Sequence, residues 1–109
     1  MKYFVVTFRA ELNEHGEPVD HRCPGYFDTY EKAEQCIMEN WGAIYEDNYY
    51  SIVLIEPIDA GLYAAIPGRK QRTWFEAIPE KANVYTGNFK VREIDEPKWA
   101  KNIIGYAIG

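Results

Sequence analysis

Cysteine is scarce in this chain, and so is positive charge. The 109 residues include two cysteines, Cys23 and Cys36, which form neither a CxxC pair nor a dense disulfide framework. Free thiols in a reducing compartment are therefore expected. Lys and Arg total 12 against 17 Asp and Glu, which gives a formal net charge of -5. Nonspecific binding to nucleic acid or to an anionic membrane draws on excess positive charge, so the composition disfavours both.

Signals for export and for membrane insertion are also missing. The chain begins with the strand-like segment KYFVVTF and shows no charged start, apolar stretch or cleavage site of a secretory signal peptide. No apolar run approaches the roughly 20 residues that a membrane-spanning helix needs. We therefore expect a cytoplasmic protein that does not enter a membrane.

The common catalytic signatures are absent as well. The sequence contains no Walker A loop and no GxGxxG, GxSxG or HExxH motif. His15, Asp20, His21 and Cys23 share one segment and are residue types that bind zinc, but their spacing matches no common zinc site. We expect an ordinary polar loop there, with no metal and no cofactor. The alternative is an enzyme in which the two imidazoles exchange protons.

What the chain does contain is typical of one well-packed domain. Apolar residues make up 47% of the sequence and aromatic residues 16%, which is far from the composition of disordered chains. A chain of 109 residues can bury one core but is short for two. No repeat or linker interrupts it. We predict a single domain over residues 1–109.

Residues 28–41 carry the clearest helical pattern. Asp28 stands where an N-cap belongs and Glu31 follows three residues later, which is the spacing of a capping box. Gly42 is expected to end the helix in the left-handed conformation. The predicted core face consists of Tyr30, Ala33, Ile37, Trp41 and Ile44, which recur at helical spacing. Cys36 lies beside that face and is expected to pack as a small buried hydrophobe.

The first half of the chain also predicts two strands and a long loop. Residues 2–12 are rich in β-branched and aromatic side chains and predict an inner or otherwise well-paired strand. Residues 13–25 hold two Gly and two Pro and predict an irregular connection. Residues 49–55, YYSIVLI, form a nearly continuous apolar run that is typical of the centre of a sheet, and Pro57 is expected to end that strand.

Shorter elements are predicted in the second half. Residues 62–66 and 72–78 predict a hairpin around the Pro67-Gly68 turn. Residues 84–94 predict either one bulged strand or two strands joined at residues 86–88. A helical turn is predicted after Pro97, and a final strand over residues 103–108. Together these patterns predict an α+β fold. Its mainly antiparallel sheet of about five strands carries the principal helix, at about residues 28–41, on one face.

A basic cluster at the predicted turn suggests a ligand site. Arg69, Lys70 and Arg72 could hold a phosphate, and Trp74 or Tyr63 could stack on a base. The competing interpretation is structural. Turns collect Lys and Arg for solubility, and Trp74 or Phe75 must face the core if their segment is a strand.

Aromatic enrichment favours a different function, the binding of a protein. The chain contains nine Tyr and three Trp, which are residue types that dominate interface hot spots. Carboxylates are frequent in the middle of the chain and could meet a basic partner. A homo-oligomer could bury the same aromatic side chains.

Several short segments resemble a group of small uncharacterised proteins of phages and prophages in Gram-positive and gut bacteria. These segments are Phe27-x-x-Tyr30-x-x-Ala33, Ile44-Tyr45-Glu46, Ile55-Glu56, Gly61-Leu62-Tyr63, Trp74-Phe75 and the tail from Lys101 to Gly109. The motifs are structural and carry no catalytic residues. The resemblance implies an accessory factor in the cytoplasm of a bacterial host, of the kind that inhibits a defence system or sequesters a defence nucleotide.

These observations together predict a non-enzymatic phage-type accessory protein that binds and modulates a host protein, for instance as an inhibitor of a bacterial defence system. The alternative is a nucleotide-binding protein, or a sponge for a defence signal, that uses the basic turn of residues 69–72. The two hypotheses differ in the ligand that the chain binds, which is a polypeptide surface in the first and a phosphate group in the second.

Overall fold

The computed structural model describes residues 1–58, 72–79 and 89–100. These residues form the strands β1 (Lys2–Phe8), β2 (His21–Phe27), β3 (Ile52–Ile58), β4 (Thr73–Pro79) and β5 (Phe89–Ile94), and the helix α1 (Tyr30–Glu39). The strands lie in the order β2-β1-β3-β4-β5, and every neighbouring pair is antiparallel. Helix α1 packs on one face of this sheet. The predicted α+β fold is confirmed.

Strand β3 lies at the centre of the sheet and is buried along its whole length. Its side chains alternate between two cores. Val53 and Ile55 pack beneath α1, whereas Ile52 and Leu54 pack on the opposite face. Both faces of β3 are covered, which suits the continuous apolar run from Ile52 to Ile55 and its predicted central place.

The end of β3 differs from the prediction. The strand continues to Ile58, and Pro57 lies opposite Tyr3 of β1 instead of ending the pairing. The described register between β3 and β4 reaches only Ile55 and Thr73. Among the described residues, Pro57 therefore lies beyond the stretch that is paired on both sides, where a missing N–H is tolerated.

Helix α1 is shorter than predicted and has different caps. Its N-cap is Thr29, whose hydroxyl accepts a hydrogen bond from the Lys32 backbone N–H at 3.2 Å. The register between β1 and β2 leaves Asp28 beside Lys2, and the two form an ion pair at 2.5 Å. Asp28 is therefore not the cap. The helix ends at Glu39, and its C-cap is Asn40 in the left-handed conformation (φ 52), whereas the prediction gave that role to Gly42.

Because α1 ends before Trp41, this residue does not lie where the helical pattern predicts. Ala33, Cys36 and Ile37 are buried as predicted, and Ile44 is buried after the helix. Trp41, however, is 39% exposed. The left-handed turn at the end of α1 takes Trp41 off the helical repeat, so its assignment to the core face is wrong.

The predicted loop over residues 13–25 is wrong in its second half. Residues from His21 onwards form β2, and backbone hydrogen bonds such as Arg9 N to Asp20 O continue the hairpin beyond it. Pro24 and Gly25 indicate a loop when the sequence is taken alone. In the fold they lie on an edge strand of the described sheet, next to a register shift opposite Val6, where breakers are tolerated.

Some of the remaining predictions are confirmed, and the others fall on residues outside the described ranges. Strand β1 is inner as predicted but ends at Phe8, β4 matches residues 72–78 to within one residue, and a 3-10 turn, Lys98–Ala100, follows Pro97. The predicted strands at residues 62–66 and 103–108, the Pro67-Gly68 turn and the break at residues 86–88 lie outside the described residues. In the described part, no helix has the length and apolarity needed to cross a bilayer.

Candidate functional site

Two of the five residues of the predicted ligand site are described, and both are buried. The Arg72 guanidinium lies 2.6 Å from the Glu56 carboxylate, and the two side chains are 4% and 3% exposed. Trp74 is 2% exposed and packs against Phe8 and Trp99 with ring centroids 5.4 and 5.5 Å away. Trp74 belongs to the core on the sheet face away from α1, and Arg72 is held in a buried ion pair.

The other three residues of that site, Tyr63, Arg69 and Lys70, lie outside the described residues. Nucleotide binding at the basic turn stays a prediction.

The residues of the predicted polar loop have separate surroundings. His15 is exposed at the tip of the hairpin, where its imidazole lies 3.6 Å from Glu14. The ring of His21 stacks on that of Phe8, with the centroids 5.9 Å apart. Asp20 accepts hydrogen bonds from two tyrosine hydroxyls of the segment before β3. Among the described residues, no three His, Cys, Asp or Glu side chains form a group that could hold a metal ion.

Both cysteines are free thiols in partly or fully buried places. Burial raises the pKa of both thiols above its ordinary value. A raised pKa lowers the fraction of thiolate at neutral pH, and the thiolate is the nucleophile. These surroundings suit structural cysteines better than reactive ones.

A cavity of about 290 Å³ lies between β2 and the segment that follows α1. On one side it is lined by Pro24, Gly25 and Phe27 of β2, and on the other by Trp41, Gly42 and Ile44. Val5 of β1 and Cys36 of α1, both buried, also contribute to its lining. Four parts of the fold therefore meet at this cavity.

Trp41 stands at this cavity with its indole partly in water. The ring lies 6.0 Å from the ring of Phe27, and its Nε1–H donates to Glu39 Oε1 at 3.2 Å. The other oxygen of Glu39 accepts from the Gln35 amide at 2.9 Å. Ring packing and a hydrogen bond thus fix the orientation of an aromatic side chain that is 39% exposed.

The backbone that carries Trp41 is unusual. Residues with positive φ between α1 and β3 are Asn40, Gly42, Ala43, Glu46, Asp47 and Asn48. The left-handed conformation costs roughly 1–2 kcal/mol for a residue with a Cβ, and less for Asn and Asp. Such conformations persist where the surrounding structure holds them.

Tyr45 is the residue that holds this segment to α1. Its side chain is fully buried, and its hydroxyl donates to the Ile37 carbonyl at 2.7 Å. Its backbone N–H donates to the Asn40 side chain at 3.3 Å. The neighbouring Ile44 is buried as well. The segment is therefore anchored in the core from its middle, while Trp41 and Gly42 remain at the surface.

Charged side chains of both signs lie at the cavity. The cationic residue in its lining is Arg22. Arg22 forms an ion pair with Glu46 at 2.5 Å. Glu39, held against Trp41, accepts hydrogen bonds from two neutral groups. Within the described part of the chain, two carboxylates thus accompany one guanidinium at this site.

The sequence pattern alone did not identify this site. It placed Trp41 on the core face and residues 21–25 in a loop, so neither wall of the cavity was predicted. The signal that could have found it is the pair Asn40 and Gly42, which flank Trp41 and are the residue types that tolerate the left-handed conformation. In comparisons with known proteins, no family model, curated protein or solved structure matches the chain.

Proposed function

We propose that this chain is a non-enzymatic accessory protein that binds and modulates a host protein through the Trp41 cavity. The observation that supports this best is the exposed, oriented indole of Trp41 beside a cavity that Phe27 and Pro24 help to line. Tryptophan is enriched among the residues that contribute most to protein association, and it acts best beside a pocket that excludes water. Its fixed orientation lowers the entropy that binding costs.

The size of the cavity favours a side chain of a partner protein as its occupant. Sites for whole small molecules span about 300–1,000 Å³, and this cavity of about 290 Å³ lies at the lower limit. A single apolar side chain inserted from a partner surface is a common form of anchor.

The charge at the cavity disfavours a nucleotide there. A phosphate needs free cationic groups or backbone donors, whereas the guanidinium of Arg22 is already paired with Glu46. Glu39 adds a second carboxylate nearby. A polypeptide partner suits these charges better than an anion does.

The setting of this function comes from the resemblance to phage and prophage proteins. An accessory factor of that kind, acting in a bacterial host, would bind a host protein and block or redirect it, and inhibition of a defence system is one form of such modulation. The Trp41 cavity supplies a place at which binding of this kind can be tested with single substitutions.

Affinity capture from a bacterial lysate tests the proposal. The wild-type chain is compared with Trp41→Ala and with Ile78→Ala, a control whose side chain is 45% exposed on β4, three strands away from β2. We expect one host protein to be captured by wild type and by Ile78→Ala but not by Trp41→Ala. The purified pair should then sediment as a stoichiometric complex.

Two other results would contradict the proposal. If all three chains capture the same protein equally, the cavity is not the binding site. If no protein is captured and a nucleotide panel instead raises the melting temperature of the chain, the alternative function gains support, since a ligand at 100 times its Kd adds about 2.7 kcal/mol to stability.

A further inference from the structure

The last turn of α1 carries an anionic group without a cationic neighbour on its own helix. Glu39 is exposed at the C-terminal end of the helix, and the last turn contains no basic residue. The carbonyl ends of a helix carry partial negative charge, equivalent to about half an elementary charge, so a carboxylate there is unfavourable and a cation favourable.

The hydrogen bonds of Glu39 leave its charge in place. Its two oxygens accept from the Trp41 indole and the Gln35 amide, and both donors are neutral. By contrast, Glu46 at the same cavity is paired with Arg22. The negative potential at this site is therefore concentrated on the side of Glu39 and Trp41.

We infer that the partner contributes a polypeptide segment with an apolar side chain in the cavity and an adjacent Arg or Lys against Glu39. This inference rests on the proposed function and adds the chemistry of the partner. The apolar side chain contacts Phe27 and Pro24, and the cation reaches the carboxylate and the neighbouring indole together.

Arginine suits this place best because its properties match both neighbours. A guanidinium can stack on an aromatic ring and bind a carboxylate through two parallel hydrogen bonds. The Trp41 ring is exposed and held next to the Glu39 carboxylate, 3.2 Å from its Nε1. Both contacts are available to a single side chain.

The charges on the two sides of the cavity fix the direction in which the segment lies. The guanidinium of Arg22 lines the cavity but is paired with Glu46, whereas Glu39, hydrogen-bonded to two neutral groups, attracts a cation. The cationic residue of the partner therefore lies towards the end of α1 and away from β2. The net charge of -5 on the whole chain adds a long-range attraction for a basic segment.

A peptide selection tests the inference. Random peptides displayed on phage particles are selected on the full wild-type chain, and peptides that also bind Trp41→Ala are removed. The enriched peptides should share one large apolar residue next to Arg or Lys. Their affinities are then measured for wild type, for Glu39→Gln and for Glu31→Gln, which makes the same change in the first turn of the same helix.

Glu39→Gln should weaken these peptides about fivefold and reduce the salt dependence of binding, the change expected for loss of one exposed ion pair. Glu31→Gln should leave the affinity within about twofold. Thermal melts of each variant confirm that the fold is intact.

The results separate failure of the inference from failure of the proposed function. Enriched peptides that depend on Trp41 but lack a basic residue, or equal weakening by both glutamate variants, would overturn the inference alone. If every peptide that binds wild type binds Trp41→Ala equally well, the cavity binds no segment, which contradicts the inference and the proposed function together.

Discussion

Thr29 stabilises the start of α1 through one hydrogen bond, from the Lys32 N–H to its hydroxyl. Loss of such a cap costs about 1 kcal/mol, so Thr29→Ala should lower the free energy of unfolding by that amount in urea denaturation. Asp28→Ala is the control, because it removes only an exposed ion pair with Lys2. A larger loss for Asp28→Ala than for Thr29→Ala would mean that Asp28 caps the helix.

Buried tyrosines make the fold sensitive to alkali. Burial raises the pKa of Tyr45, and burial followed by the charge of Asp20 raises the pKa of Tyr50 to about 12 from an ordinary value of 10.0. Between pH 10 and 12 the unfolded chain loses these protons while the folded chain keeps them. The free energy of unfolding should therefore fall as the pH rises through this range.

Urea denaturation at about pH 8 and about pH 11 measures this fall. The raised pKa values of the Cys23 and Cys36 thiols act in the same direction. Tyr45→Phe removes one titrating group, so its stability should decline less between the two pH values than that of wild type. Equal or greater stability of the wild-type chain at the higher pH would show that these tyrosines are not buried as described.

Trp41 and Arg72 show why single residues are hard to place from sequence. Trp41 has the helical spacing of a core residue, but the backbone of Asn40 moves it to the surface. Arg72 belongs to a basic cluster in the sequence, yet its side chain is buried, where it pairs with Glu56, 16 residues away. Both outcomes depend on conformations or contacts that local pattern does not contain.

At the scale of elements, the segment between α1 and β3 is under local strain. Ala43 has a φ of 51 and is exposed, a conformation that glycine adopts without steric cost. Ala43→Gly should therefore raise the free energy of unfolding by about 0.5–1 kcal/mol. The measurement is urea denaturation with matched slopes.

The same substitution inside α1 is the matched control for that prediction. Ala33 is buried in the helix, where glycine costs about 1 kcal/mol relative to alanine, so Ala33→Gly should destabilise the fold. Opposite signs for the two variants are the expected result. Destabilisation by Ala43→Gly as well would show that residue 43 does not have a left-handed backbone.

The strands differ in how well their sequences predict them. Apolar and β-branched runs correctly indicated β1, β3 and β4, and also the central place of β3. Strand β2 was missed because Pro24 and Gly25 are breakers in a central strand but are tolerated at an edge. Whether a strand is at an edge depends on pairing between distant segments, so local pattern could not decide it.

At the scale of the whole molecule, the fold class was predictable and the site was not. One amphipathic helix and several strands suffice to predict an α+β layer arrangement. The cavity, in contrast, needs Val5, Phe27, Cys36 and Trp41 to meet, and they come from two strands, the helix and the segment after it. Their proximity follows from the pairing of β1 with β2 and from the left-handed turn at Asn40.

The measurement that tests the central claim most directly is the Kd of the purified host partner for three chains, determined by isothermal titration. Loss of a hot-spot tryptophan costs at least about 2 kcal/mol, so Trp41→Ala should weaken binding at least about thirtyfold relative to wild type. Ile78→Ala should bind within about twofold of wild type. An unchanged Kd for a Trp41→Ala chain that melts like wild type would contradict the claim that the Trp41 cavity is the binding site.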